Sequence, residues 1–322
     1  MQTIKPNDPN LVLSPLSDPV FGAIHADVDV AGLSMESFIT ATLESDNEKL
    51  MGSVKAVTPQ QVHTSTSGRG CRVDVESDTN ENERAITEVQ INPDKRIMLR
   101  NLFTSSHVFY ETSEKGDTSN QMADKMPRVI HINVLGYNIR KNSSGLVEPF
   151  KIMYTKEPRE VAIPNFSGYN IQLPKIYEMK PDFNSSLYCW CYMLYTAHKE
   201  GKTVKEVVAM STALQEFADR DAGFQQFCER YNHVTADPKT RREYVAWVND
   251  RMRQAGELEW VKEEAYNSGV ETGIKSGIES GIKSGIELVA LNMLKRNRSL
   301  DQIVEDTGLS FEEILKLQES LK

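Results

Sequence analysis

Acidic and amide side chains at strand spacing carry the chemistry most easily read from this chain. Arg72-Val73-Asp74-Val75-Glu76 and Ile86-Thr87-Glu88-Val89-Gln90-Ile91 both alternate apolar and polar residues, which predicts two β-strands, each with one packed and one polar face. Between them Asp78-Thr79-Asn80-Glu81-Asn82-Glu83 holds no apolar side chain, so a hairpin loop longer than the two-residue type is expected. With the turn assumed to centre near Glu81, residues whose numbers sum to 162 face each other: Asp74 and Glu88, Arg72 and Gln90, Glu76 and Ile86. Carboxylates placed opposite each other, about 4.5–5.5 Å apart at Cβ, repel and need a cation. Arg72, or a lysine from elsewhere, would neutralise the pair on a solvated sheet face. A divalent metal would do so in an active site, since Mg²⁺ is held by one or two carboxylates and completes its shell with water and phosphate oxygens.

The neighbouring segments supply the elements that would position this pair. Ser53 to Val62 reads as a first strand, leading through Gly68-Arg69-Gly70 into the Asp74 strand. The stretch after Gln90 reads as a helix with Arg96, Arg100 and His107 near one stripe and Leu99, Leu102, Phe103 and Phe109 on the packed side. Arg128 to Asn138 is the most apolar strand and is expected at the centre of the sheet, with further strands from Gly145 to Tyr154 and Asn165 to Tyr177. Upstream, Asp18 is a credible N-cap with Pro19 at the first helical position. Leu33 to Leu43 follows as a core helix that buries Phe38, Ile39 and Leu43.

In order and spacing these segments resemble the PD-(D/E)XK nuclease superfamily, and within it the Rpn family of recombination-promoting nucleases and transposases. That family's usual run is a lysine or arginine, Asp-Val on one strand, Glu-x-Gln on the next, a helix opening Arg-Ser-Leu-Tyr-Tyr, and a strand like Pro-Val-Ile-x-Ile-x-x-Leu. Here these stand as Arg69, Asp74-Val75, Glu88-Val89-Gln90, Arg100-Asn101-Leu102-Phe103 and the run from Pro127 to Leu135. The likeness covers residues 15 to 250 in outline and 69 to 135 in detail.

The resemblance implies an α/β fold, a mixed central sheet flanked by helices with an all-helical C-terminal part. It implies metal-dependent hydrolysis of DNA phosphodiesters, an endonuclease activity tied to DNA recombination and transposition. Asp74 and Glu88 would bind Mg²⁺ or Mn²⁺, and Arg100, Arg69 and Arg96 would hold DNA phosphates. Gln90 occupies the superfamily's usual lysine position. A neutral amide can orient water or a phosphate oxygen, but it carries no charge and takes no proton. An acid of the first helix often joins such sites; Asp18, Asp27 and Glu36 are candidates that the sequence does not separate. Asp18 and Phe21 match an Asp-x-x-Phe-Lys motif of the family, with Gly22 in place of its lysine.

The chain's 322 residues carry a net charge of −9, which argues against a protein that coats nucleic acid through bulk electrostatics. Binding of DNA would have to come from a local cleft. The four cysteines form no Cys-x-x-Cys pair, so neither a zinc site nor a disulfide framework is expected. The N-terminus lacks a signal-like apolar run and no stretch could span a membrane, which reads as cytoplasmic.

Three parts are expected: a mobile lead-in over 1–16, a nuclease-like domain over 17–255 with its core at 50–180 and a helical part at 186–255, and a tail over 256–322. Glycine recurs every fourth residue from Gly269 to Gly285 within that tail. Each of those glycines costs a helix roughly 1 kcal/mol relative to alanine, so the helix is not expected to persist alone. Small residues at this spacing let helices approach closely, and a homo-oligomer through the tail is the preferred reading over a flexible linker. Ser299 to Leu321 has the outline of a helix-turn-helix. Glu312, Glu313 and Glu319 on its second helix would repel phosphate, so packing is favoured there over DNA reading. The rival to a nuclease is a catalytically inactive, nuclease-derived oligomeric interaction module, motivated by Gln90, Gly22 and the acidic balance.

Overall fold

A computed structural model describes residues 4–26, 28–59, 62–63, 71–140, 142–143 and 145–320. Six strands form one sheet: β1 (Val54–Pro59), β4 (Val75–Thr79), β5 (Glu83–Gln90), β6 (Arg128–Leu135), β8 (Phe166–Gln172) and β7 (Val147–Phe150), in that spatial order. β1, β4 and β5 are antiparallel, β5, β6 and β8 parallel, and β7 antiparallel to β8. This is the mixed central sheet expected. Seven of the eight residues of β6 are buried, as befits an interior parallel strand covered on both faces. A separate two-residue ladder joins β2 (Val62–His63) and β3 (Cys71–Arg72).

The β4–β5 hairpin closes through Asn80-Glu81-Asn82, with Asn82 at φ 54°. A three-residue loop with a left-handed residue at its end suits a hairpin. The Thr79 hydroxyl helps by accepting from the Glu81 and Glu83 N–H groups at 3.3 and 3.2 Å.

One face of the sheet presents Val75, Ala85, Val89, Ile130, Ile132, Val134, Tyr169 and Ile171 to the main core. The helices α1 (Asp18–Ile24), α2 (Val28–Glu44), α5 (Ser186–Glu200), α6 (Val204–Ala209), α7 (Thr212–Arg220) and α8 (Ala222–Ala236) contribute to that core. α5 buries ten of its fifteen residues, as its all-round apolar sequence requires. The other face carries a smaller cluster, Val73, Ile86, Val129 and Phe166 with Val108 of α3 (Ile97–Glu111), and the short α4 (Ser119–Lys125) follows α3 in the chain.

Several boundaries differ from the sequence reading. The described part of the expected mobile lead-in is tied down: Leu13 and Leu16 are buried, Tyr231 Oη donates to the Leu13 carbonyl at 2.6 Å, and Arg241 donates to the carbonyls of Pro6 and Asp8. Two leucines in the core outweigh the prolines around them. β8 ends at Gln172, where Pro174 opens a short 3₁₀ turn over Leu173–Tyr177. Within the helical part expected at 186–255, α6 and α7 are separate helices, because Ser211 caps α7 by accepting from the Leu214 N–H.

α8 meets α2 where a Cβ on Gly223 would stand 2.3 Å from the Leu33 carbonyl oxygen. Asp221 fixes this crossing, accepting from the Phe224 N–H and from Ser37 Oγ, both at 2.8 Å. Gly223→Ala is therefore expected to push the helices apart and cost about 1–3 kcal/mol, read as a lowered urea midpoint at unchanged slope.

The chain divides into two compact units, Met1–Val248 and Asn249–Lys322. The long helix α9 (Pro238–Lys295) begins in the first; in the second, its part from Asn249 onward is followed by α10 (Leu300–Thr307) and α11 (Phe311–Glu319), which close a small core of Ala290, Ile303 and Ile314. The helix-turn-helix outline is present. Ser310 and Glu313 form a reciprocal capping box, and Gly308 takes the left-handed position at φ 71° after α10.

Candidate active site

The hairpin register runs Val75↔Thr87, Glu76↔Ile86, Ser77↔Ala85 and Asp78↔Arg84, so facing residues do sum to 162. One more step sets Asp74 level with Glu88. Asp74 lies just outside β4, and its side chain takes over where backbone pairing stops: Oδ2 accepts from the Val89 N–H at 2.7 Å. A charge-assisted bond of that length fixes the carboxylate beside β5. The strand does not continue back to Arg72 as expected. Arg72 pairs with Val62 in the β2–β3 ladder and is not opposite Gln90.

Glu88 is buried, 7% exposed. Its carboxyl is pushed up to about 8, first by burial, then by the Asp74 charge and further by Asp18, against the lowering effect of Arg100. Burial and like charge both disfavour the ionised form. The same electrostatics separate the first-helix acids. Asp18, at the start of α1, acts on Glu88. Glu36 instead accepts from the Val54 N–H at 2.8 Å and ties α2 to β1. Asp27 lies outside the described residues.

After Gln90 the chain turns through Asn92-Pro93-Asp94, and Asp94 Oδ1 accepts from the Arg96 N–H at 2.8 Å as α3 begins. One turn into the helix, Arg100 spreads its guanidinium over three acceptors. Nη2 stands 3.7 Å from Glu88 Oε2, and Nη1 stands 3.6 Å from Asp94 Oδ2 and 3.4 Å from Gln90 Oε1. The Gln90 amide also donates to the Asn92 carbonyl at 2.9 Å. Gln90 is thereby held on both sides. Arg96 points away, 83% exposed, with Asp94 at 3.9 Å. Arg69 lies outside the described residues.

The packed side of α3 is for the most part not the one its apolar pattern predicted. Ile97, Asn101, Thr104, Ser105 and Val108 are buried, whereas Leu99, Leu102 and Phe103 are 67%, 50% and 47% exposed; of the four expected, Phe109 alone packs, against the Val108 cluster. The surface beneath explains the reversal, because this face of the sheet presents Glu88, His131 and Asn133, and polar ground accepts the small polar side of the helix.

Asp94, His131 and Asn133 are functional candidates that sequence reasoning missed. In register, Glu88 lies beside Asn133, and Asn133 beside Asn170, with Asn133 Nδ2 donating to Asn170 Oδ1 at 2.8 Å. Among the described residues, buried Asn133 Oδ1 and His131 Nε2 have no hydrogen-bond partner. Burial, and then Arg100, hold His131 down at about 3, so it is neutral. Two polar residues interrupting the most apolar strand were the available signal.

Among the described residues, no group of three or more His, Cys, Asp or Glu side chains is placed to hold a metal ion. A cation here would take two carboxylates and complete its shell with water and substrate oxygens, which is how Mg²⁺ is commonly held. The donor set fits such an ion. Glu88 is under strong pressure to stay neutral, and Arg100 serves Asp94 and Gln90 as well.

A family model described as PD-(D/E)XK nuclease family transposase matches residues 31–256. The chain belongs to that family. The model's span takes in the whole hairpin and α3, and membership of the PD-(D/E)XK nuclease family transposases accounts for the mixed sheet with flanking helices. It supports a nuclease- or transposase-like function acting on nucleic acid. No curated protein and no solved structure matches the chain. Among the described residues no helix is long and apolar enough to cross a membrane.

Proposed function

We propose that this PD-(D/E)XK protein is a metal-dependent DNA endonuclease of the recombination-promoting, transposase-related type, acting in the cytoplasm. The observation that carries the reading is the buried Glu88 level with Asp74, with Asp18 as a third charge and Arg100 beside them. A carboxylate held near 8 is costly to a fold, and perturbed acids of this kind cluster at functional sites.

Asp74 and Glu88 are the ligands for Mg²⁺ or Mn²⁺, which when bound supplies charge stabilisation at the reacting phosphate. The Val89 N–H keeps Asp74 oriented. Arg100, half exposed on the site's rim, takes a DNA phosphate oxygen, and a planar guanidinium suits that role. Gln90 sets the direction of Arg100 through its carbonyl oxygen and, with one amide N–H on the Asn92 carbonyl, has its second N–H for a water or phosphate oxygen. Arg96 reaches the backbone farther out, and Arg69 is included on the family resemblance alone. DNA is the substrate, and a second copy of the chain joins through the α9 repeat.

Purified protein is expected to nick supercoiled plasmid with Mg²⁺ or Mn²⁺ and to stop in chelator, while Asp74→Ala, prepared identically and folded by circular dichroism, leaves the plasmid intact. Equal cutting by both proteins would refute the site. A specific observation favours the second reading, an inactive interaction module: at the usual lysine position Gln90 is neutral and already bonded to Arg100 and Asn92. Folded wild type that cuts with neither metal would establish it.

A further inference from the structure

The polar row that begins at Asp74 does not stop at Glu88. Ile86, Val129 and Phe166 share the smaller cluster, and even separations from them put Glu88, Asn133 and Asn170 on that same face of the sheet. The register sets Glu88 level with Asn133 and Asn133 level with Asn170, across β5, β6 and β8. Asn133 is 0% exposed and Asn170 4%. An asparagine inside the most apolar strand is costly unless both ends of its amide are used. One end is used, since Nδ2 donates to Asn170 Oδ1 at 2.8 Å. The other, Oδ1, has no hydrogen-bond partner among the described residues.

The far end of the row decides which way that oxygen faces. Asn170 Nδ2 lies 3.8 Å from the Met98 sulfur of α3. A thioether accepts weakly and never donates, so Asn170 presents its NH₂ group to Met98 and its oxygen to Asn133. Asn133 must then give its own NH₂ group to Asn170, which turns Oδ1 away from β8 and toward Glu88 on β5. An ionised carboxylate and an amide oxygen are both acceptors, and a cation between them serves both. The spacing suits one. Neighbouring strands run about 4.8 Å apart, and oxygens bound at right angles, each about 2.1–2.4 Å from a cation, stand roughly 3.0–3.4 Å from one another. His131 is level with Ile86 and not with an acid, so it lies outside the row.

We infer that Asn133 Oδ1 is a third protein ligand of the cation held by Asp74 and Glu88. This rests on the metal-dependent reading of the site. Amide oxygens are ordinary ligands of hard cations, and this one adds an oxygen without adding a third negative charge to a buried site. It also takes the place of one water in the ion's shell.

Binding is read on the full-length chain at one fixed pH, without DNA. Calorimetry follows Mn²⁺, and luminescence follows Tb³⁺, an oxygen-preferring ion whose lifetimes in H₂O and D₂O count the waters it keeps; the signal used is the part lost in Asp74→Ala. Asn133→Ala, checked for folding by circular dichroism, is expected to weaken Mn²⁺ binding at least about tenfold and to raise the Tb³⁺ water count by one. Asn133→Asp, which keeps an oxygen in place, should bind Mn²⁺ at least as tightly as the wild type with an unchanged water count. A wild-type water count in folded Asn133→Ala, whatever its affinity, would mean that Asn133 only braces Glu88, and overturns the inference. Weaker binding by Asn133→Asp overturns it too, and decides alone where the alanine variant does not fold. Both results leave the metal reading standing, whereas a wild type that binds neither ion removes that reading and this inference with it.

Discussion

Glu88→Gln is expected to abolish cleavage and, in the same molecule, to stabilise the metal-free protein above neutral pH. Glu88 in the folded chain holds its proton up to about 8, against 4.5 for an ordinary glutamate. Between those two values the folded state binds one proton more than the unfolded state does. Stability contributed by the protonated form is therefore fully present below about 4.5 and is lost as pH rises toward 8, by up to about 1.4 kcal/mol per pH unit. In chelator the wild-type melting temperature should fall between pH 5.5 and 8.5, by about 2–4 °C for each kcal/mol. Glutamine copies the neutral acid's shape without the titration, so the variant's curve should lack that fall. Mg²⁺ should raise the wild-type melting temperature more at pH 8 than at pH 6, because it binds the ionised carboxylate and displaces its proton. The variant should gain little. Superimposable pH curves for the two proteins in chelator would show that Glu88 does not titrate there, and would remove the main support for a metal at this place.

Much of this site was legible because a two-residue period leaves little freedom. Once Glu76 opposes Ile86, Asp74 can only come level with Glu88, and both carboxylates fall on the face away from Val75 and Val89, which enter the main core. The same logic failed at Arg72, where the sequence alternation continues but the backbone does not. At Asp74 a side chain replaces a ladder partner, and no periodicity reports that. α3 misled for a different reason. Leu99, Leu102 and Phe103 form a good apolar stripe, and a stripe normally marks the buried side. Which side a helix buries is nevertheless decided by the surface it lands on, here Glu88, His131 and Asn133. Those residues come from two strands about forty residues apart in sequence, so the polar floor exists only after β5 and β6 have paired.

The second large effect expected concerns Glu83, at the opposite end of the strand that carries Glu88. An odd separation of five residues turns the two glutamates to opposite faces of β5. Glu83 has no exposed side-chain surface, yet it is fully served: Arg128 Nη1 donates at 2.8 Å, the Met51 and Gly52 N–H groups at 2.8 and 3.1 Å, and Thr79 Oγ1 at 3.5 Å. Arg128 also donates to the Lys49 carbonyl and pairs with Glu48, which Lys151 holds from its other side. These bonds tie the chain entering β1 to the hairpin and to the start of β6. Glu83→Ala would strip two backbone N–H groups of their acceptor and leave a largely buried guanidinium short of charge, at a cost of about 3–5 kcal/mol. Thermal melting should drop by roughly 6–20 °C, and the loss should be smaller in Glu83→Ala with Arg128→Met, where no charge is stranded. Metal-dependent nicking per folded molecule should survive well below the new melting temperature. An equal loss in the single and double variants would mean that the network is merely space filled by polar groups. The contrast with Glu88 lies in the partners. A buried glutamate given an arginine and two amides at hydrogen-bond distance holds the sheet together, and one left with an arginine at 3.7 Å and a carboxylate for a neighbour is the one we propose as a metal ligand.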